Sequence, residues 1–386
     1  MANYKTGLTN FLERKTSLVK GKKVGLITNH TGITVDLENN IDLFYEHPNI
    51  NLVKLFGPEH GVRGNVGAGD EVSDMIDKKT ELPMISLYGE NKKPSSQVLS
   101  DIDVLVFDIQ DIGVRFYTYV STLLYSLESC GENNIELIVL DRMNPLGRRV
   151  EGNIVEDKFS SFIGLYPIPH RHGMTFAELA KWANEKFSLG VELEVVKCSG
   201  WEGETFAEYK DLFWIPPSPG IPHFQTVLTY PIICMLEGTN ISEGRGTTKP
   251  FEYFGAPWIE PSELVNELEK KDLAGIRFRE VYFIPSFSKH KGKECGGAHL
   301  LIKDENKVDS YLSSLTIIKT LFELYPEKTK WRKPENKSHK YFFDLLMGTD
   351  KVRKRLNKDD KVENILSSWE NKVRNFEERR KEFLLY

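Results

Sequence analysis

Residues 51–64, NLVKLFGPEHGVRG, set an acid, an imidazole and a guanidinium close together: Glu59, His60 and Arg63, hemmed by Gly61 and Gly64. A carboxyl group and an imidazole within reach of one substrate can give and take protons, and a guanidinium matches a carboxylate through two parallel hydrogen bonds. The flanking glycines let the backbone approach whatever binds. The same mixture recurs at Asn29 and His30, at Asp108, Gln110 and Asp111 followed by Gly113 and Arg115, and at Asp141, Arg142 and Asn144. In YPIPHRHG, His170 and His172 stand two residues apart, so both face one side of an extended segment. Such a pair can serve a metal, but no third ligand stands nearby, and two hydrogen-bonding or acid–base imidazoles are the better reading. LEGTNISEGRG, at 236–246, adds Glu243 and Arg245 beside Glu237, Asn240 and Ser242.

These residues need elements to position them. Apolar runs with β-propensity at 22–28, 51–56, 84–88, 103–107 and 135–140 read as buried strands. Amphipathic helices are predicted over 5–20, 36–45 and 118–130, and a further one over 175–186, where Thr175 and Glu178 have the spacing of a capping box. Near-continuous apolar strands alternating with helices specify an α/β fold with a parallel sheet covered on both faces. In such a sheet the carboxyl ends share one edge, so four of the polar clusters fall along a single cleft, where open α/β sheets bind their ligands. Residues 64–79 form a long glycine-punctuated excursion, and 214–223 (WIPPSPGIPH), with four prolines in ten residues, reads as a rigid hinge. Beyond it, short strands at 277–284 and 298–302 mix with helices at 310–325, 338–347 and 362–386, an α+β layout. The expected domains are 1–228 and 229–386, with the cleft between them.

Composition narrows the function. The 386 residues carry a net charge of −5, which leaves no basic footprint for nucleic acid. Cys130, Cys198, Cys234 and Cys295 form no CxxC unit, so zinc ligation and a disulfide framework are both disfavoured. No apolar run approaches the roughly 18 residues of a membrane span, and the N-terminus lacks the apolar core of a signal peptide. As written, the chain is expected to be soluble and not self-targeted. The G-x-G-x-x-G, G-x-x-x-x-G-K-[ST], G-x-S-x-G and H-E-x-x-H motifs are all missing, which removes the usual dinucleotide, nucleotide, serine-hydrolase and zincin readings. A cleft rich in carboxylates, amides, Arg and His suits glycosidic bond cleavage, in which one acid protonates the leaving oxygen.

The blocks GLITNHTGI, LFGPEHGVRG, VFDIQDIGVRFYTYVSTL, VLDRMNPLG, PIPHRHGMTFAELA, WIPPSPGIP and LEGTNISEGRGTTKPFEYFGAPW, with GGAHLLI, FDLLMG, Trp369 and FEERRKEFLLY, strongly resemble the NamZ-type exo-β-N-acetylmuramidases of bacterial cell-wall turnover. The resemblance runs almost end to end. It implies a Rossmann-like N-terminal domain without a nucleotide, a smaller C-terminal domain, and release of terminal N-acetylmuramic acid from peptidoglycan fragments with no metal or organic cofactor. It also implies a bacterial protein, periplasmic or extracellular where a signal has been removed and otherwise cytoplasmic. Carried onto this chain, Glu59 becomes the catalytic acid, with Asp108, Asp111, Glu243 or the substrate's 2-acetamido group as second participant. His172 and His60 are placed to orient groups or share protons. Arg115, Arg142 and Arg245 are candidates for the lactyl carboxylate, while Arg63 either faces that carboxylate or pairs with another acid. Asn29, Asp108, Gln110, Asn144 and His170 complete the expected saccharide-binding set. Two positions depart from the family pattern: Gly220 stands where PSPN has Asn, and Met143 where RPNP has its first Pro. A glycan-binding protein, or a hydrolase of a related amino-sugar glycan, is the alternative reading.

Overall fold

The computed structural model describes residues 4–64, 75–334 and 340–386. Its larger sheet contains β1 (Lys23–Thr28), β2 (Asn51–Gly57), β3 (Met75–Ile76), β4 (Pro83–Ser86), β5 (Val104–Asp108), β6 (Glu136–Leu140) and β7 (Leu193–Val196) in the spatial order β3-β4-β2-β1-β5-β6-β7. Every neighbouring pair is parallel except β3 with β4. In β1 all residues after Lys23 are buried, and in β5 all five are. The strands are apolar throughout rather than alternating because helices cover both faces. After β4 the chain returns to lay β5 against β1. The crevice at that switch point is where doubly wound sheets hold ligands, and it lies between the ends of β1 and β5, at Asn29 and Asp108.

The C-terminal part carries an antiparallel sheet of β8 (Tyr253–Ala256), β9 (Ile276–Phe283) and β10 (Cys295–Ile302), with β10 central. The fold is thus the expected α/β sheet joined to a smaller α+β part. One apolar cluster runs from Ile27, Phe107 and Leu137 in the first sheet to Phe254 in the second and to Leu315 and Phe343 in the helices of the C-terminal part, so the two parts share a core. The four cysteines are buried and free. No helix among the described residues is long and apolar enough to cross a membrane.

Local chemistry sets the element ends. Thr175 and Glu178 form the predicted capping box at the start of helix Phe176–Lys186, and Asp141, just after β6, accepts from Thr175 Oγ1 at 2.7 Å and Ala177 N at 3.0 Å. The predicted helix over 362–386 is instead Val362–Ser367, Glu370–Arg380 and a short 3₁₀ turn. Ser368 Oγ bonds back to Ile365 O at 2.6 Å, the kind of local bond that bends helices, and the bend lets Ile365, Phe376 and Phe383 all reach the core. Helix Phe342–Met347 starts after the predicted 338, and residues 335–339 lie outside the described ones, as do 65–74 of the long excursion. The proline-rich connector is packed rather than free. Pro216 O bonds His30 Nε2 at 2.6 Å, and Pro217 O accepts from Tyr119 Oη at 2.7 Å. These contacts fix the connector against the first part of the chain.

Arg115 ties the two parts together. Its guanidinium, buried with no carboxylate partner among the described residues, donates to Asn153 O and Ile168 O at 2.5 and 2.8 Å, and to Leu346 O and Met347 O at 3.1 and 2.9 Å. Burial pulls its pKa well below the usual value.

Candidate functional site

Strand β2 delivers Glu59. Past Gly57 and Pro58 the backbone reverses through His60, Gly61 and Gly64 at φ of 77°, 73° and 74°. For a histidine this left-handed conformation costs energy, and such strain is retained where the fold over-determines it. The reversal turns Glu59 toward the start of helix Tyr119–Asn133. Thr118 Oγ1 donates to Glu59 Oε2 at 2.9 Å, and Tyr119 Oη reaches the Glu59 carbonyl at 3.3 Å. Tyr88, two residues past β4, also faces the Glu59 carboxylate. Burial, reinforced by Glu59, raises the pKa of Tyr88 and of Tyr119, and Tyr117 is raised by its own burial and by Tyr119. The three phenols therefore remain protonated donors at neutral pH. Tyr117 packs edge-on against Tyr119 at 4.9 Å and Tyr230 at 6.0 Å, and Tyr230 meets Phe251 at 4.6 Å, giving the site an aromatic wall.

The C-terminal part contributes Arg245. Its Nε donates to Glu237 Oε1 at 2.8 Å and lies 3.6 Å from Glu243 Oε1, and its guanidinium sits 4.8 Å above the Phe251 ring. Both Nη nitrogens are without a hydrogen-bond partner among the described residues. Arg245 is within electrostatic reach of Tyr88, as is Glu59, so an acid and an available cation face the same phenol from opposite domains. Gly220, one of the two departures, lies against this cation: a Cβ there would stand 3.3 Å from Arg245 Nη1.

The remaining sequence-predicted residues surround this centre in fixed roles. Asn29 accepts from Thr31 N and Oγ1 at 2.9 and 2.6 Å and turns its amide toward Tyr119. His60 is buried beside His30. Asp108 and Arg142 form a buried bidentate pair at 2.7 and 3.1 Å, with Asn40 bonded to Asp108 and the Ile33 carbonyl bonded to Arg142. Gln110 Nε2 bonds the carbonyls of Asp111 and Met143, and Asn144 bridges Met174 O and Leu146 N. His170 is held by Leu346 O at 3.1 Å and by the Tyr311 hydroxyl, and burial keeps it neutral. Glu243 is enclosed with Lys289 at 2.9 Å. Asp111 lies 3.2 Å from His172 Nε2, and neither Asp111 oxygen has a hydrogen-bond partner or open surface. His172 Nδ1 accepts from Met174 N, and His172 Nε2, although close to Asp111, makes no hydrogen bond to it. Arg115 and Arg142, expected at a carboxylate, are thus committed to the protein's own carbonyls and to Asp108. The chain's phenols were not singled out by residue type, although the run FYTY ahead of an apolar helix carried the signal.

Arg63 takes the second of its two expected roles. It grips Asp77 through Nε and Nη2, both at 3.0 Å, and reaches Asp42 at 3.1 Å. Burial would raise the Asp77 carboxyl, but Arg63 and the Thr80 hydroxyl and N–H override it and bring it down to about 2. Because the unfolded value is about 3.9, this clamp contributes about 2 kcal/mol that is complete above pH ~4 and lost as pH falls through ~2. The gap between the urea midpoints of the parent and Asp77→Asn is therefore expected to narrow as pH falls from ~4 and to close only near pH ~2. Midpoints differing by a constant amount from pH 6 to 2 would contradict the clamp.

Comparison with known proteins finds two family models along the chain: exo-beta-N-acetylmuramidase NamZ, N-terminal, over residues 24–225, and its C-terminal counterpart over 228–386. The peptidoglycan beta-N-acetylmuramidase NamZ of Bacillus subtilis (strain 168) is 44% identical over 382 residues, 99% of this chain and 91% of that protein. Two DUF1343 family proteins from Bacteroides fragilis NCTC 9343 have similar crystal structures. One has a TM-score of 0.91 at 38% identity, covering all of both chains. The other has 0.79 at 31%, covering all of this chain and 99% of that one.

Proposed function

The chain belongs to the exo-β-N-acetylmuramidase NamZ family, and on that premise we propose that it is an exo-acting glycoside hydrolase that releases terminal N-acetylmuramic acid from peptidoglycan fragments. The observation that carries the reading to particular atoms is the pairing of Glu59, which sits among protonated hydroxyl donors, with Arg245, whose two Nη nitrogens are available across the same cleft. Glu59 acts as the general acid, giving its proton to the departing glycosidic oxygen. Thr118 and Tyr88 fix the carboxyl group that must make this transfer. Arg245 binds the lactyl carboxylate, the group that distinguishes muramic acid from glucosamine, through the fork geometry a guanidinium offers. The bare edge left by Gly220 gives that carboxylate room.

Among the further carboxylates considered, Asp108 is clamped by Arg142, Glu243 by Lys289, and both Asp111 oxygens are sealed. That arrangement favours the substrate's own 2-acetamido group as the partner that stabilises positive charge at the anomeric carbon, as in substrate-assisted glycosidases. His172 and Asp111 then act as a buried positioning pair beneath the loop after β5.

Arg245→Ala is expected to raise KM for a β-N-acetylmuramic acid glycoside about 10- to 100-fold, the loss of one charge-assisted hydrogen-bond pair, with kcat little changed. Steady-state kinetics at constant ionic strength checks this. Unchanged KM would remove Arg245 from carboxylate recognition.

A further inference from the structure

Trp369, one of the marks of the family resemblance, lies outside the Glu59–Arg245 cleft and has no part in the chemistry above. It borders a cavity of about 370 Å³ between residues 153–156 and the C-terminal helices. No residue lining it touches Glu59 or Arg245 in the contacts described. We propose that this cavity is a second, non-catalytic binding site for a carboxylated amino-sugar glycan, which keeps the enzyme on peptidoglycan while the cleft cleaves terminal residues. The proposal rests on the hydrolase reading only in naming the glycan.

Three features of the cavity carry it. First, Asn153 lines the cavity while only 4% exposed, and its Nδ2 is spent on Met347 O at 2.8 Å and Ile154 O at 3.3 Å. Its Oδ1 is buried without a partner. A buried acceptor left unmade is costly, and an acetamido N–H or a sugar hydroxyl would satisfy it. Second, the Trp369 indole meets Tyr311 edge-on at 6.3 Å and is only partly covered. Such a rigid aromatic body with a polar N–H suits a surface that is apolar on one side and wet on the other, as the C–H face of a pyranose requires. Third, Lys351, Lys354, Arg355 and Lys372 line the cavity with Glu156 as the only acid among its lining residues. Lys351 pairs with Glu156, Lys354 with Asp350 and Arg355 with Asp360. Lys372 has no acid partner among the described residues. The cavity thus presents one uncommitted ammonium, that of Lys372, to the ligand. A neutral chitin-type glycan would fill the indole and Asn153 positions but leave Lys372 unused.

The test is cosedimentation of the full chain with purified insoluble peptidoglycan, with chitin in parallel, alongside initial rates on a small chromogenic β-N-acetylmuramic acid glycoside. Lys372→Glu and Trp369→Ala are each expected to weaken retention on peptidoglycan about tenfold, Lys372→Glu with little effect on chitin, and neither with any effect on the small-glycoside rate. Lys372 is exposed, so its variant remains informative even where Trp369→Ala fails to fold. Parental retention by Lys372→Glu would overturn the proposal, as would a parallel fall in the small-glycoside rate. Sedimentation needs no turnover. A parent that is retained through Lys372 yet leaves the small glycoside intact would therefore refute the hydrolase reading and leave this site standing.

Discussion

Glutamine at position 59 is expected to lower kcat/KM toward a β-N-acetylmuramic acid glycoside by about 10²- to 10⁴-fold while leaving the fold and the affinity for substrate intact. The glutamine Oε1 still accepts from Thr118 Oγ1, the contact that holds the native carboxyl at 2.9 Å, so packing and hydrogen bonding survive. Only the transferable proton is lost. The effect should fall on kcat rather than KM, because proton donation matters in the transition state and not in the ground-state complex. A thermal melt matching the parent's, together with the collapsed rate, would separate chemistry from stability. Turnover near the parental rate would remove Glu59 from the role of acid.

The second large effect is on stability. Arg115→Met is expected to cost about 3 kcal/mol or more. Replacing a buried charge by a hydrophobe of similar length recovers the desolvation that pulls this guanidinium's pKa down, and where both partners of an ion pair are replaced the exchange can be neutral. Here the partners are backbone carbonyls of Asn153, Ile168, Leu346 and Met347. They cannot be replaced: Asn153 O and Ile168 O stay buried and lose this donor, while Leu346 O keeps His170 and Met347 O keeps Asn153 Nδ2. Two of them close the end of helix Phe342–Met347, so the loss falls on the junction between the two parts of the chain. Urea denaturation followed by fluorescence reads it as a lower midpoint. A midpoint equal to the parent's would show that water reaches and satisfies those carbonyls.

Much of the fold was written in patterns that depend on neighbours in sequence. Five of the strands of the large sheet announced themselves as apolar runs, and the capping box at Thr175 is a four-residue motif. The elements that stayed hidden are those stabilised from a distance. Helix Phe224–Ile233 carries Pro231 inside it, which reads locally as a breaker, yet Val227, Tyr230 and Ile233 are fixed in the core. Strands β7 and β8 are four residues each and carry Glu194 and Gly255 inside them, which breaks the apolar run. At the site, sequence spacing brought the polar residues to the correct sheet edge but could not say which would be used up by one another. Asp108 and Arg142 are 34 residues apart and meet only because β5 and β6 are neighbours. Arg63 meets Asp77, which lies just past β3. Arg245 stands out for the opposite reason: a single partner occupies its Nε, and its two Nη nitrogens are left over.

The most direct test of the whole account is incubation of the protein with chromogenic glycosides of β-N-acetylmuramic acid and β-N-acetylglucosamine, side by side. The account predicts release from the first and none above background from the second, because only the first carries the lactyl carboxylate that Arg245 awaits. Release from neither, by a folded protein, or equal release from both, would contradict it.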